Sequence, residues 1–308
     1  MIARSSFALC ALLCSLALVQ FAKADEPSLV WSDDYTAAME QAKAEKKLML
    51  IHFYRAADQS RKEAASAADS VANVERAFEE PGIREKVAQR FVLVKLPVDA
   101  GITSKGQPVK LLEHGAFSEL HKGPGVAVID MAHEKADYFG YVVNVLPFTP
   151  GKYYRFRPSH LEALVDLPQG SLTQRSMILA VRIHPEHPAS TNGADDPILL
   201  SEASSQSRYQ AQIHVQGHHN WESRFQRIMG KLLGRGTPGA PVEVVAESWP
   251  NQDLMDSCVD CVASWRQSDG HWSAVKAQQA SYGYDIQLSD NGIWYATGIF
   301  RPAYGSAN

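Results

Sequence analysis

Three runs of consecutive apolar residues constrain the fold of this chain most strongly. Leu48 to Tyr54 reads Leu-Met-Leu-Ile-His-Phe-Tyr, and Phe91 to Val98 has a similar composition. Val126 to Asp130 is the third run, and Gly123-Pro124-Gly125 introduces it. Strands without polar alternation are typical of sheets that are covered on both faces. Because helix-like segments separate these runs, the sequence predicts an α/β fold.

The first half resembles the thioredoxin-like proteins in the order of its elements. Ser32 is predicted to cap a helix that ends at Lys46-Lys47, and the apolar strand ending near Phe53 follows. A polar, alanine-rich helix is predicted from Gln59 to Phe78. Pro124 lies before the third strand, where the resemblance implies a cis peptide bond.

The redox motif of the thioredoxin-like proteins is missing from this chain. Asp58-Gln-Ser-Arg61 occupies the position where the family has Cys-x-x-Cys. Dithiol exchange needs a nucleophilic thiolate and a second thiol that resolves the mixed disulfide. We therefore expect this half to be a scaffold or a peptide-binding unit without oxidoreductase activity.

The length of the chain predicts two domains, because 308 residues exceed one typical domain. A closing helix is expected from Pro158 to Leu167, and Leu167-Pro-Gln-Gly170 is the expected boundary. The predicted domains are residues 25–167, thioredoxin-like without the redox motif, and residues 168–308.

The N-terminal residues have the pattern of a secretory signal. Arg4 precedes an apolar run from Phe7 to Leu18, and Ala22-Lys23-Ala24 fits a cleavage site before Asp25. The run is short for a membrane span, which needs about 20 apolar residues. We expect residues 1–24 to be a cleaved signal peptide, leaving a secreted or periplasmic protein without a transmembrane anchor.

The charge of the chain argues against nucleic acid as a partner. The formal net charge is −4, and loss of Arg4 and Lys23 with the signal would make it more negative. Nucleic-acid-binding proteins normally carry a concentrated basic surface.

The second half alternates helix-like and strand-like segments and ends in a predicted hairpin. Asp290-Asn-Gly292 is a strong turn signal, because Asn and Gly tolerate positive φ. Helices are predicted at Ser171–Ile183, Leu199–Gln216, Glu222–Leu233 and Met255–Trp265. Val242–Glu247 is predicted to be a strand or extended connector, and Ser281–Leu288 and Ile293–Phe300 to be the final strands.

The segment Trp265-Arg-Gln-Ser-Asp-Gly-His271-Trp272 is the most distinctive motif of this half. It resembles the W-x-x-S-x-G-H segment of the CAP superfamily, also called SCP-like. The resemblance covers about residues 169–302 and implies an α-β-α sandwich. The expected fold is thus α/β, with a thioredoxin-like α/β/α domain followed by a CAP-like α-β-α sandwich.

The resemblance also implies a cleft with two histidines and acidic residues. His271 matches the second histidine and Glu247 matches the first acidic residue. His218 or His219 supplies the first histidine, and His218 is preferred. Ser268 replaces the second acidic residue, and Trp272 is expected to line the groove.

The donor atoms of this cleft suit zinc or another divalent metal, with His218, Glu247 and His271 as ligands. The alternative is that the histidines form hydrogen bonds without metal. The predicted function is an exported binding module for a small molecule, lipid, glycan or divalent metal. A metal-assisted hydrolase that uses the same cleft is the alternative.

Two further patterns are weaker. His214 and His218 have helical i, i+4 spacing, but the Glu of H-E-x-x-H is missing, so a zincin protease is not expected. Cys258 and Cys261 are predicted to form a disulfide or buried thiols, and the alternative is a thiol-redox pair.

Overall fold

A computed structural model of the chain describes residues 29–55, 72–104, 106–233 and 239–303. The predicted signal peptide at residues 1–24 lies outside the described residues. The segment Asp58–Arg61, which replaces the redox motif, lies outside them too, as does the first part of the predicted Gln59–Phe78 helix.

The described part of the first half contains a five-stranded mixed sheet and a small hairpin. The sheet has the order β1-β3-β2-β6-β7, in which β2 pairs parallel to β3 and antiparallel to β6. The strands are β1 Trp31–Ser32, β2 Leu48–Tyr54, β3 Phe91–Pro97, the hairpin β4 Gly101–Ser104 and β5 Gln107–Lys110, β6 Gly125–Ile129 and β7 Val142–Pro147. The central strand β2 is therefore the first apolar run of the sequence, buried except at its end.

Helices cover the first sheet: α1 Tyr35–Glu45, α2 at residues 72–78, α3 Pro81–Arg90 and α4 His160–Val165. The N-cap of α1 is Asp34, not Ser32 as predicted, because its carboxylate accepts hydrogen bonds from the backbone of Thr36 and Ala37. Lys46 ends α1 in the left-handed conformation, so the predicted end is confirmed. All described peptide bonds are trans, and the cis bond expected before Pro124 is therefore wrong.

The described second half contains a four-stranded sheet with the order β8-β10-β11-β9. Its strands are β8 Ala194–Asp195, β9 Val242–Glu247, β10 Gln279–Leu288 and β11 Trp294–Pro302. The long hairpin β10–β11 forms its centre, and its turn contains Gly292 at φ 77°. The predicted hairpin is confirmed.

The helices of the second half are α5 Leu172–Arg182, α6 Pro197–Ile213, α7 Trp221–Leu232, α8 Leu254–Arg266 and α9 Asp269–Lys276. Ser171 and Gln174 form a capping box that begins α5. None of the described helices is long and apolar enough to cross a membrane.

Helix α5 lies between the two sheets and connects their cores. It packs against strand β7 of the first sheet, against strand β10 of the second sheet and against helix α8. One cluster of buried apolar side chains consequently runs from Leu50 and Val128 through Met177 and Leu179 to Tyr284. The expected α/β class is confirmed by this arrangement of mixed sheets and helices.

Candidate site: a histidine pair backed by a buried carboxylate

His218 is positioned by two glutamines of helix α6. The amide of Gln206 donates to the carbonyl oxygen of Gly217 at 2.8 Å, and the side-chain oxygen of Gln210 accepts from the N–H of Gly217 at 3.0 Å. Both glutamines are buried. The N–H and the carbonyl oxygen of Gly217, the residue before His218, are thus both hydrogen-bonded to the helix.

Helix α6 ends three residues earlier than the sequence predicted. Its C-cap is His214, which has φ 57°, so the predicted continuation to Gln216 is wrong. His214 contacts Asp290 through Nε2 at 2.6 Å and does not share a helical face with His218. The side-chain bonds to Gly217 compete with helical backbone bonds here and favour a loop.

A buried glutamate holds one ring nitrogen of His218. Oε1 of Glu243 lies 3.0 Å from Nδ1 of His218, and Oε2 accepts from Nη2 of Arg224 at 2.5 Å. The side chain of Glu243 is 1% exposed and that of Arg224 is 7% exposed. This geometry favours the tautomer in which Nδ1–H donates to Glu243, so the lone pair of the His218 ring lies on Nε2.

His271 meets His218 from the first turn of α9. The two Nε2 atoms are 3.3 Å apart, and the ring centroids are 5.6 Å apart. Burial lowers the pKa of His271 and the nearby His218 lowers it further, while Glu243 opposes the shift. The two rings meet at a surface that solvent reaches, since the His218 side chain is 44% exposed.

The other residues predicted for this cleft have different positions. His219 turns away from His271, because its Nε2 contacts the carbonyl oxygen of Val215 and its ring packs against Tyr209. Glu247 is exposed at the end of β9 and lies opposite Tyr295. The contacts recorded among the described residues join His218 to Glu243 and not to Glu247.

The remaining two predicted residues support helix α9. Ser268 is its N-cap, and its carbonyl oxygen accepts from the N–H of Trp272 at 2.8 Å. Trp272 is 7% exposed and packs beside His184, while its Nε1 donates to Glu186 at 3.2 Å. The side chain of Trp272 is thus part of the packing behind the site.

The histidine pair fits two positions of a metal site. Two nitrogens bound to one tetrahedral zinc ion at about 2.0–2.1 Å are about 3.3 Å apart, which matches the observed separation. No group of three or more His, Cys, Asp or Glu in the described ranges is arranged to hold a metal. A metal here would take two ligands from the described side chains and the rest from water or a bound molecule.

The two described cysteines are unsuited to redox chemistry. Cys258 and Cys261 are free thiols, fully buried in the interior of α8. Burial raises the pKa of both thiols well above the usual value. A reactive thiol needs the opposite shift, so the geometry matches the buried-thiol alternative of the sequence prediction.

Glu243 and Arg224 are the residues of the site that the sequence analysis did not identify. The alternation of β9 places Glu243 on the same face as Val245 and Glu247. An acidic residue near the start of a largely apolar strand, with an arginine in the preceding amphipathic helix, was the available signal.

Comparisons with known proteins leave the site to be interpreted from its geometry. No protein-family model matches the chain, and a comparison with curated proteins finds no match.

Proposed function

We propose that this chain is an exported binding protein whose site is the His218–His271 pair, and that the pair binds a divalent transition-metal ion. The observation that carries the proposal is the 3.3 Å separation of the two Nε2 atoms. This distance allows a hydrogen bond between the two rings, and it also suits two ligands of one ion.

The buried partners of His218 support the same proposal. A histidine that binds a metal through Nε2 typically donates its Nδ1–H to a carboxylate, which orients the ring and makes it a stronger ligand. Glu243 has this relation to His218, and Arg224 neutralises the second oxygen of Glu243. The preference of imidazole for zinc, copper and nickel defines the expected ions.

The number of protein ligands sets the kind of site. Structural zinc sites use four side chains and catalytic sites use three. With two described imidazoles, the ion keeps open positions and exchanges more readily. These positions could receive oxygen donors of a small molecule, a glycan or a lipid headgroup, in keeping with the predicted binding module.

The fold supports the two family resemblances as proposals. For the CAP-like half, the support is the meeting of His218 and His271 beside a mixed sheet between helices. For the thioredoxin-like half, it is the order of α1, β2 and β3 and the position of Pro124 before β6. The trans bond before Pro124 departs from that pattern.

Calorimetric titration of the purified chain with Zn²⁺, without a polyhistidine tag, tests the function. We expect one site, with about tenfold or greater loss of affinity in His271→Ala. The matched control is His219→Ala, because His219 is adjacent in sequence and turned away from the pair. Equal zinc binding by the wild type and His271→Ala would overturn the proposal.

A further inference from the structure

A cleft lies where the two halves meet, and neither His218 nor His271 lines it. It has a volume of about 770 Å³ and is formed by α4 and the segment that follows α5. Ligand clefts commonly have volumes of about 300–1,000 Å³ and lie where domains meet. Its lining is mainly polar and includes two arginines, Arg157 and Arg182, and two carboxylates, Glu162 and Asp166, together with histidines, hydroxyls and an amide.

The two arginines of this cleft have no carboxylate partner within the described residues. Arg157 is exposed, and no side-chain ion pair joins it to the described chain. The guanidinium group of Arg182 contacts neutral acceptors: the carbonyl oxygen of Asp166 at 3.0 Å, the hydroxyl of Thr191 at 3.4 Å and that of Tyr282 at 3.5 Å. Both cations are therefore available to an anion in the cleft.

More positive charge lies around the turn that follows α4. Arg90 donates to the carbonyl oxygens of Val165 and Leu167, and Arg175 donates to that of Pro168 at 2.6 Å. Together with Arg182, three guanidinium groups converge on four consecutive carbonyls. Carbonyl oxygens are neutral acceptors, so these contacts leave the cationic charge uncompensated.

The nearby carboxylates balance this charge in part, since Asp166 raises the pKa of Arg90 and Asp130 raises that of Arg175 against the effect of burial. Asp166 forms an ion pair with Lys86, and Asp130 is held by His133 at 2.6 Å and by backbone N–H groups. Burial lowers the pKa of Arg175, and the proximity of Arg90 lowers it further. Arg175 is 1% exposed, and its Nε and Nη2 are without a recorded partner in the described chain.

We propose that this cleft binds a small ligand that carries an oxyanion group, a carboxylate or a phosphate, beside several hydroxyl groups. Guanidinium groups bind such oxyanions with a geometry that ammonium groups cannot match. Arg157 and Arg182 would receive the anion. Ser159, Asn192 and the exposed Glu162 supply the donors and acceptors that hydroxyl groups need.

Equilibrium binding to the full chain tests this site with three probes of similar size. D-glucuronate carries a carboxylate, glucose 6-phosphate carries a phosphate, and glucose carries neither. We expect at least one of the two anions to bind, with glucose at least about tenfold weaker. Binding of only one anion identifies the source of the oxyanion, and binding of both assigns the site to the shared chemistry.

Two variants place the binding in the cleft. Arg157→Gln should weaken the anion by about tenfold or more, because a charge-assisted contact is lost. Arg208→Gln is the matched control, since Arg208 is exposed on α6, outside the cleft. His271→Ala should leave anion binding unchanged, which separates this site from the histidine pair.

Three outcomes would overturn the inference. The first is that neither anion binds, and the second is that glucose binds as tightly as the anions. The third is that Arg157→Gln and Arg208→Gln have equal effects. Because Arg157 is exposed, its substitution should leave folding intact, which an unchanged melting temperature would verify.

Discussion

The carboxylate of Glu243 contacts both His218 and Arg224, and it is almost completely buried. Its Oε2 accepts from the arginine, which compensates the negative charge, and its Oε1 orients the imidazole. A buried carboxylate with one cation is stable only while both partners remain, because removal of either leaves an unpaired charge. The order of the histidine pair therefore depends on a residue that does not itself face the ligand.

Replacement of this carboxylate should affect stability and binding together. Glu243→Gln is expected to lower the free energy of unfolding by about 3 kcal/mol, since Arg224 is left buried without its counter-charge. Urea unfolding measures this change, and zinc titration should show weaker binding in the same variant. Glu247→Gln, on the same face of β9 but exposed, should change stability by less than about 0.5 kcal/mol. Similar losses in the two variants would contradict the assigned role of Glu243.

The sequence singled out His271, which lies in a local motif, and did not single out Glu243, whose partners are distant in the chain. His271 belongs to a compact segment, so its resemblance identified it directly. Glu243 acquires its role from Arg224, which is 19 positions away in the chain, and from His218 in the loop between α6 and α7. Such partnerships depend on how a helix crosses a strand, which residue spacing alone does not specify.

At the level of elements, the loop between α6 and α7 determines where His218 lies. Gln210 contacts Thr297 of β11 at 3.0 Å as well as Gly217, so it connects the helix, the sheet and the loop. Gln210 is fully buried, and both the nitrogen and the oxygen of its side-chain amide form hydrogen bonds. The loop is therefore ordered by side-chain hydrogen bonds in place of helical ones.

Truncation of this glutamine should loosen the loop. Gln210→Ala is expected to cost about 1–3 kcal/mol, because the N–H of Gly217 and the hydroxyl of Thr297 lose their partner. It should also weaken zinc binding by displacing His218. Gln212→Ala provides the control, since Gln212 is exposed on the same helix. If both variants unfold at the same urea concentration, Gln210 does not organise this loop.

The burial of the two thiols of helix α8 predicts how they react. Cys258 and Cys261 are fully buried, so a thiol reagent should not react with the folded chain and should label both after denaturation. Their position beyond the first turn of α8 also denies them the stabilisation that a helix N-terminus gives a thiolate. Rapid labelling of the native protein, or a missing pair of thiols after denaturation, would contradict this description.

The elements that the sequence identified share strong local signals. Apolar runs predicted β2 and β3, and the Asn-Gly turn predicted the β10–β11 hairpin. The sequence analysis did not identify α3, α9 or β7. Helix α9 follows α8 after a short break and buries Trp272 and Val275, so only tertiary packing distinguishes it from a loop.

At the scale of the whole molecule, burial in the first sheet predicts how stability depends on pH. His52 of β2 is fully buried among Trp31, Tyr54 and Phe148, and its ring nitrogens have no recorded partner in the described chain. Burial lowers its pKa to about 4, nearby Lys95 adds to the shift and Glu75 opposes it.

The sign of the pH effect follows from proton binding. Between about pH 6.5 and pH 4 the unfolded chain protonates His52 and the folded chain does not, so stability falls as the pH falls. We expect this residue to account for a loss of about 3 kcal/mol between about pH 7 and pH 4. Urea unfolding of the wild type and His52→Phe at both pH values measures it. A loss of equal size in the variant would contradict the prediction.

The most direct measurement of the central claim is anomalous diffraction at the zinc edge from crystals soaked in Zn²⁺. The account predicts a peak between the Nε2 atoms of His218 and His271, about 2.0–2.1 Å from each. Crystals of His271→Ala should lack that peak. Density for two directly hydrogen-bonded rings with no peak between them, in crystals of the wild type at saturating zinc, would contradict the proposed function.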